Sequence, residues 1–285
     1  MRKFSSILLV IGALLLFIGG YCFYSIKIFD APKMTFSTAQ HTAFSTYHDQ
    51  CISVNDDKLP LTQKKFKLLV WNVHKGEDAG WKNVIQNYAD VADFFFLQEV
   101  STKQNLAQIL YDKFPISLYV SAFSYLNNES GVNILSKKMP NIVCAKSEKE
   151  PWIIIPKVGS AMLFPLINGE SLLLVNLHLV NFELQPTNYR AQLENIMQLV
   201  SKHKGPIILA GDFNTWNQGR LDLLNKLSYQ HGLQEVDYEK DVRLRFMGNP
   251  LDHVFVRGVK VLQSTSFETT SSDHNPIVLD VELEN

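Results

Sequence analysis

The chain has 285 residues, 46% of them hydrophobic, which is enough to bury a sizeable core. Its 27 Lys and Arg against 28 Asp and Glu exclude a protein that holds long nucleic acid mainly through a basic surface, and suit a small phosphorylated substrate or a lipid headgroup at least as well. Three cysteines, with Cys51 and Cys144 far apart, exclude a disulfide framework and leave room for a single bridge.

The first element is apolar. Arg2 and Lys3 precede residues 5–24, a stretch without a charge. A bilayer core takes about 20 such residues as a helix, against about 7 to 15 in a signal peptide. No small-residue cleavage pattern follows, since Tyr21, Phe23 and Tyr24 fill that zone. Residues 1–30 are therefore predicted to be a single-pass membrane anchor. The positive-inside rule sends the bulk of the chain out of the cytoplasm, into the periplasm of a Gram-negative cell. Residues 31–65, rich in Ser, Thr, Asp and Gln and without sustained periodicity, read as a polar stalk.

From residue 66 to residue 285 the pattern becomes short apolar runs separated by turn residues, with amphipathic stretches between some of them. Strands are predicted at residues 66–73, 93–100, 131–137, 152–158, 161–167, 171–180, 206–214, 251–258, 259–267 and 275–283. Helices are predicted at residues 81–88, 102–113, 189–203 and 220–229, the third from the spacing of Leu193, Ile196, Met197 and Val200. Consecutive strands without intervening helices exclude a simple alternating repeat. The fold class is α/β, with two packed sheets and helices outside, in one domain.

The polar residues of interest share one location, the C-terminal end of an apolar strand or the turn beyond it. Asn72 ends "LLVWN", Glu99 ends "FFFLQE", Asp212 and Asn214 follow "IILAG", and Asp273 and His274 precede "NPIVLDVEL". His178 and Asp252 lie within or at the start of strands. Singly, each is explained by turn capping or solvation. Together, carboxylates, an amide and imidazoles are what phosphoester hydrolysis with a hard divalent metal requires. The sequence has no GxSxG elbow, P-loop, HExxH, CxxC pair or Gly-rich dinucleotide loop.

These segments resemble the endonuclease/exonuclease/phosphatase superfamily, whose fold is that of DNase I. They are "VWNV", "LQEV", "NLHL", "GDFN", "LDHVF" and "SSDHNPI", in that order. "LVWNVHK", "VNLHLVNF" and "AGDFNTW" also resemble the bacterial YafD-like subgroup. The resemblance implies a four-layered α/β sandwich with two mixed sheets. It implies Mg2+ or Mn2+ held by Asn72, Glu99 and Asp273, and catalysis by His178, Asp212, Asn214, Asp252 and His274. In that scheme Asp212 positions and deprotonates water, Asn214 holds the water or a phosphate oxygen, and His274, oriented by Asp252, contacts the phosphate beside His178.

The expected activity is hydrolysis of a phosphodiester or phosphomonoester at a membrane, with no obligate protein partner. The alternatives are a Mg-dependent nuclease, which the charge balance disfavours, and a non-catalytic binding protein on the same fold. His253 departs from the family pattern and reads as a surface change or an extra phosphate contact. Lys75, Arg243 and Arg245 read mainly as solvated charges, and Trp71, Trp152 and Trp216 as packing.

Overall fold

The computed structural model describes residues 11–14, 16–17, 19–21, 24–38, 41–57, 59–148, 156–181, 183 and 186–284. Its strands are β1 (Ile26–Thr38), β2 (His41–Tyr47), β3 (Cys51–Ser53), β4 (Lys65–Asn72), β5 (Phe94–Ser101), β6 (Ile116–Tyr125), β7 (Asn128–Ser136), β8 (Ile142–Glu148) and β9 (Lys157–Pro165). They continue with β10 (Ser171–His178), β11 (Ile207–Asp212), β12 (Gln234–Glu235), β13 (Arg245–Phe246), β14 (Asn249–Pro250), β15 (Asp252–Arg257), β16 (Val259–Ser266) and β17 (Ile277–Leu283). The helices are α1 (Trp81–Ala89), α2 (Leu106–Ile109), α3 (Thr187–Lys202) and α4 (Gln218–Gln230).

One sheet has the order β16-β17-β4-β5-β7-β6-β1-β2 and the other β12-β15-β11-β10-β9-β8-β3, with β13 and β14 forming a separate hairpin. Strand alternation assigns each side chain to a layer. Leu68, Val70, Phe94, Phe96, Leu172, Leu174, Ile208, Ala210, Val254 and Val256 form one core between the sheets. Their odd-register neighbours Leu69, Trp71, Phe95 and Leu97 pack under α1 and α2 with Ile85 and Leu106. On the other side Leu173, Val175, Leu177, Ile207 and Leu209 meet Leu193, Met197 and Leu224 of α3 and α4. The result is the four layers anticipated from sequence, helices outside two packed mixed sheets.

Each sheet holds a central parallel pair, β4 with β5 and β10 with β11. Two neighbouring C-terminal strand ends emerge together only from a parallel pair. In this fold both pairs open at one edge.

Three expectations change. The segment read as a stalk supplies β2, β3 and most of β1, whose first residues, 26–30, belong to the stretch read as the anchor. β1 pairs with β6 along most of its length, and Met34 and Phe36 are buried. Its composition hid this because half its residues face water. The helix expected at residues 102–113 is broken at Asn105, whose φ of 47° stops the turn begun at Ser101; only Leu106–Ile109 is α-helical. As for the expected anchor, residues 1–10, 15, 18, 22 and 23 lie outside the described residues. Among the described residues no helix is long and apolar enough to cross a membrane. Of the expected strand at 152–158, residues 152–155 also lie outside the described residues.

The single bridge that the cysteine count allowed is formed. Cys51 of β3 and Cys144 of β8 stand directly opposite in the ladder and are joined by a disulfide.

Candidate active site

The inter-sheet rows run straight into polar side chains at the open edge. Leu68 and Val70 are followed by Asn72, Leu174 and Asn176 by His178, Ile208 and Ala210 by Asp212, and Val256 and Val254 by Asp252. Alternation therefore aims all four residues into the space between the sheets. Glu99 breaks the rule, since Gln98 takes the inward slot. A register shift between Leu97 and Val100, with Glu99 at φ 51°, turns its carboxylate back into the site. Gly211 is required at its place: at φ 143° a Cβ would run into the Leu177 carbonyl, so only glycine lets β11 close on β10 and set Asp212 beside His178.

Contacts at the edge are close. Asn72 Nδ2 lies 3.1 Å from Asp212 Oδ2 and 3.4 Å from Glu99 Oε1, while its Oδ1 accepts from the His74 N–H at 3.0 Å. His178 Nε2 is 3.5 Å from Asp212 Oδ2 and 3.9 Å from Glu99 Oε1. His274 Nδ1 bonds Asp252 Oδ2 at 2.7 Å, and its Nε2 faces Asp212 Oδ2 at 3.9 Å. Ser272 Oγ donates to the Asn72 carbonyl at 2.7 Å and Trp71 Nε1 to the His274 carbonyl at 2.9 Å, docking the Asp273–His274 loop on β4. Below the site Gln98 and Asn176 clasp the two sheets together at 2.7 Å.

The two imidazoles are tuned apart. Burial works against charge on His274, but Asp252, Asp212 and Asp273 raise it to about 10, so it is an imidazolium at neutral pH. Burial and then Lys157 lower His178 to about 4, so it is neutral. Lys157 Nζ stands 3.1 Å from His178 Nε2. Burial opposes ionisation of Glu99, yet His178, Lys75 and Lys157 hold its carboxyl well below the usual range.

Asn72, Glu99, His178, Asp212, Asp252 and His274 thus come together as expected. Asp273 lies at the rim, half-exposed, with Oδ1 3.8 Å from His74 Nδ1. Asn214 is committed locally: its N–H bonds Asp212 Oδ1 at 3.0 Å, and its side-chain amide donates to the Leu179 carbonyl at 2.9 Å.

His253 corrects the sequence reading. It is wholly buried on the opposite face of β15, bonded to Glu235 at 2.7 Å and Thr215 at 2.8 Å, so it meets neither the surface nor a phosphate. Arg243 is also buried, held by Asp241 and Glu235 and donating to the Asp252 carbonyl at 2.9 Å. Lys75, read mainly as solvated, has Nζ 2.5 Å from Glu99 Oε2. Lys157 was missed because nothing in its neighbourhood marks it. Alternation along "LDHVFVRG" was a usable signal for His253.

The donor set fits a hard divalent cation. Carboxylate oxygens outnumber donors, Asp252 Oδ1 is buried without a partner, and the Lys75 ammonium already neutralises Glu99 as a cation would. Asp212, Asp252 and His274 also bring potential ligand atoms within 4.8 Å of one another. A protonated imidazole is no ligand, however, and its Nδ1–H is spent on Asp252.

Residues 69–274 match the model of the endonuclease/exonuclease/phosphatase family. A UPF0294 protein of Vibrio parahaemolyticus is 34% identical over 257 residues, covering 90% of this chain and 92% of the relative. Two solved structures share the fold. Danio rerio TDP2 complexed with a single-strand DNA product has a TM-score of 0.58 at 18% identity, covering 77% of this chain and 100% of that one. The mannosyl-6-phosphatase Bt3783 of Bacteroides thetaiotaomicron has a TM-score of 0.55 at 16% identity, covering 76% and 99%. With the family's segments in order along the chain and its fold in space, this chain belongs to the endonuclease/exonuclease/phosphatase family.

Proposed function

We propose that the protein is a metal-dependent phosphoesterase that hydrolyses a phosphodiester or phosphomonoester by water attack, tethered to a membrane with its domain outside the cytoplasm. The observation that carries the reading is the convergence of Glu99, Asp212 and two imidazoles at one edge, with His178 Nε2 3.5 Å and His274 Nε2 3.9 Å from Asp212 Oδ2 and His274 Nδ1 bonded to Asp252. Two titratable groups pushed apart divide the work: a charged donor for phosphate oxygen and a neutral ring beside it.

In this scheme Asp212 holds the attacking water and takes its proton. His274 Nε2–H contacts the phosphate oxygen, kept charged and in one tautomer by Asp252. Lys157 and Lys75 add positive charge at the same place. Mg2+ or Mn2+, held by Glu99 and Asp273 with Asn72 orienting Glu99, would neutralise phosphate oxygens when bound. Asn214 shapes the Asp212 loop.

The uncharged run of residues 5–24 supports the tether, and the Cys51–Cys144 disulfide supports an oxidising compartment. Among the fold's neighbours one is named a mannosyl-6-phosphatase and one was solved with a single-strand DNA product, so a small phosphoester and DNA both enter the test. The full chain is assayed with Mg2+ on soluble phosphoesters, phospholipids and plasmid DNA, beside Glu99→Ala and His274→Ala. Loss of about a hundredfold or more in both variants is expected. Activity unchanged in either variant would overturn the site, and robust metal-dependent DNA cleavage would overturn the substrate preference.

A further inference from the structure

Two hairpins share an anomaly. β6 and β7 turn at Leu126 and Asn127, and β13 and β14 turn at Met247 and Gly248. In each two-residue turn both central residues have positive φ, 48° and 63° in one and 50° and 86° in the other. That geometry favours Asn, Asp or Gly at its first position, because a larger L side chain crowds its own backbone there. Here the first positions hold Leu and Met, and neither is buried: Leu126 is 48% exposed and Met247 80%. Neither turn preference nor burial accounts for the choice.

Both tips project at the catalytic end. Ser101, two residues beyond Glu99, pairs with Ser130 near the start of β7, so the Leu126 turn stands past Glu99. In the other sheet Asp212 pairs with Asp252, and β14 ends two residues before it. Phe246 meets Trp216, on the loop after β11, at 6.5 Å.

The chain also enters the domain at this end. Ile26 pairs with Tyr125, whereas Lys33 pairs with Ser121, which is level with Gly131 and hence with Val100, the residue after Glu99. The start of β1 therefore lies about 10 Å beyond Glu99 along the strands and about 15 Å to its side, across three strand spacings. Tyr21 Oη lies 2.8 Å from Tyr125 Oη at the same point. Among the described residues, Tyr24 and Ser25 lead directly into β1 at this edge.

We infer that this end of the domain is a membrane-docking face, with the Leu126 and Met247 tips seated in the headgroup layer of the bilayer that holds residues 5–24, so that the site takes phosphoesters carried by lipids. The inference rests on the tether and phosphoesterase reading above and narrows the substrate to a lipid-borne one.

The test uses the full chain carrying Ile167→Met in phosphatidylcholine vesicles containing phosphatidylglycerol and phosphatidate. Ile167 is 69% exposed on the turn between β9 and β10, at the opposite end of the sheet. Peroxide crosses bilayers, so methionine oxidation followed by mass spectrometry reports shielding whatever the orientation. With each rate normalised to the urea-unfolded chain, Met247 is expected to oxidise at least about tenfold more slowly than the methionine at the opposite end. Equal rates would overturn the docking face.

A second variant, Leu126→Asn with Met247→Asn, suits both turns and should fold at least as well. It is expected to lose about tenfold on the vesicle lipids while hydrolysis of soluble bis(p-nitrophenyl) phosphate is kept. Unchanged lipid turnover, or a wild-type chain that cuts the soluble ester and none of the vesicle lipids, would overturn the lipid-borne substrate. A wild-type chain that cuts neither the soluble ester nor any vesicle lipid counts against the phosphoesterase reading and the lipid-borne substrate alike, and the oxidation ratio still decides the docking face.

Discussion

Arg220 offers the sharpest test of how the catalytic loops are held. It is 1% exposed, and its guanidinium donates to the carbonyls of Val180 at 2.6 Å, Asn181 at 2.9 Å, Asn214 at 3.1 Å and Glu183 at 3.2 Å. It also lies over Tyr189 and Trp216, at 4.5 and 4.9 Å from the ring centres. One side chain of α4 thus ties the loop after His178 to the loop after Asp212. Arg220→Met keeps much of the bulk and removes every donor. A charged donor is worth roughly 1.5 to 3 kcal/mol per bond, but the buried charge it carries costs desolvation that methionine does not. The net loss is about 3 to 4 kcal/mol. Unfolding entropy of about 2.1 cal/mol/K per residue gives roughly 0.6 kcal/mol/K for a chain of this length, so Tm should fall by about 6 °C. Scanning calorimetry reads the shift, and turnover of a soluble phosphoester should drop with it because Asn214 and Asp212 lose their support. A Tm within about 1 °C of wild type together with full turnover would refute the reasoning.

Other outcomes follow from the same geometry. Replacing both Cys51 and Cys144 by Ala opens a loop spanning 93 residues and should lower stability by about 4 kcal/mol in urea titrations, with no effect of reductant on the double variant. Asp252→Asn keeps volume but removes the carboxylate that holds His274 Nδ1. Turnover should fall about a thousandfold with Tm nearly unchanged, and a loss below tenfold would count against Asp252 as the orienting group. Hydrogen bonds from Arg243 hold Asp241 down at about 2, so its contribution is present above the ordinary carboxylate range and is lost as pH falls from about 4 towards 2. The full shift corresponds to roughly 2.5 kcal/mol, which solvent exposure of Asp241 reduces to about 1. Asp241→Asn should flatten the acid limb of stability against pH by that amount; an unchanged limb would show that the ion pair contributes nothing.

Much of the central architecture could be read from the chain because its signals are local. The runs around Leu68–Asn72 and Leu172–His178 are apolar on both faces, and each ends in a polar residue whose direction alternation fixes. Glu99 was identified by its segment, but its aim could not be, since it depends on a left-handed residue and a register shift that no spacing reveals. β1 was hidden for the opposite reason: an edge-region strand with one wet face has the composition of a linker. Lys157 and Arg220 were invisible because their importance comes from partners 21 and about 40 residues away, His178 and the carbonyls after it. Sequence neighbours say nothing of such contacts.

The position of β17 has a consequence for the order of events in the cell. It follows every other strand in the sequence, yet it lies between β16 and β4, one strand in from the edge of the larger sheet. The loop that carries Asp273 and His274 is fixed only when β17 zips onto β4. While the chain is being made from its first residues onward, Asn72 and Glu99 emerge about two hundred residues before the strand that completes their site. On the proposed phosphoesterase reading, hydrolysis stays off until synthesis is nearly finished, and the nascent chain is no hazard to phosphoesters around it.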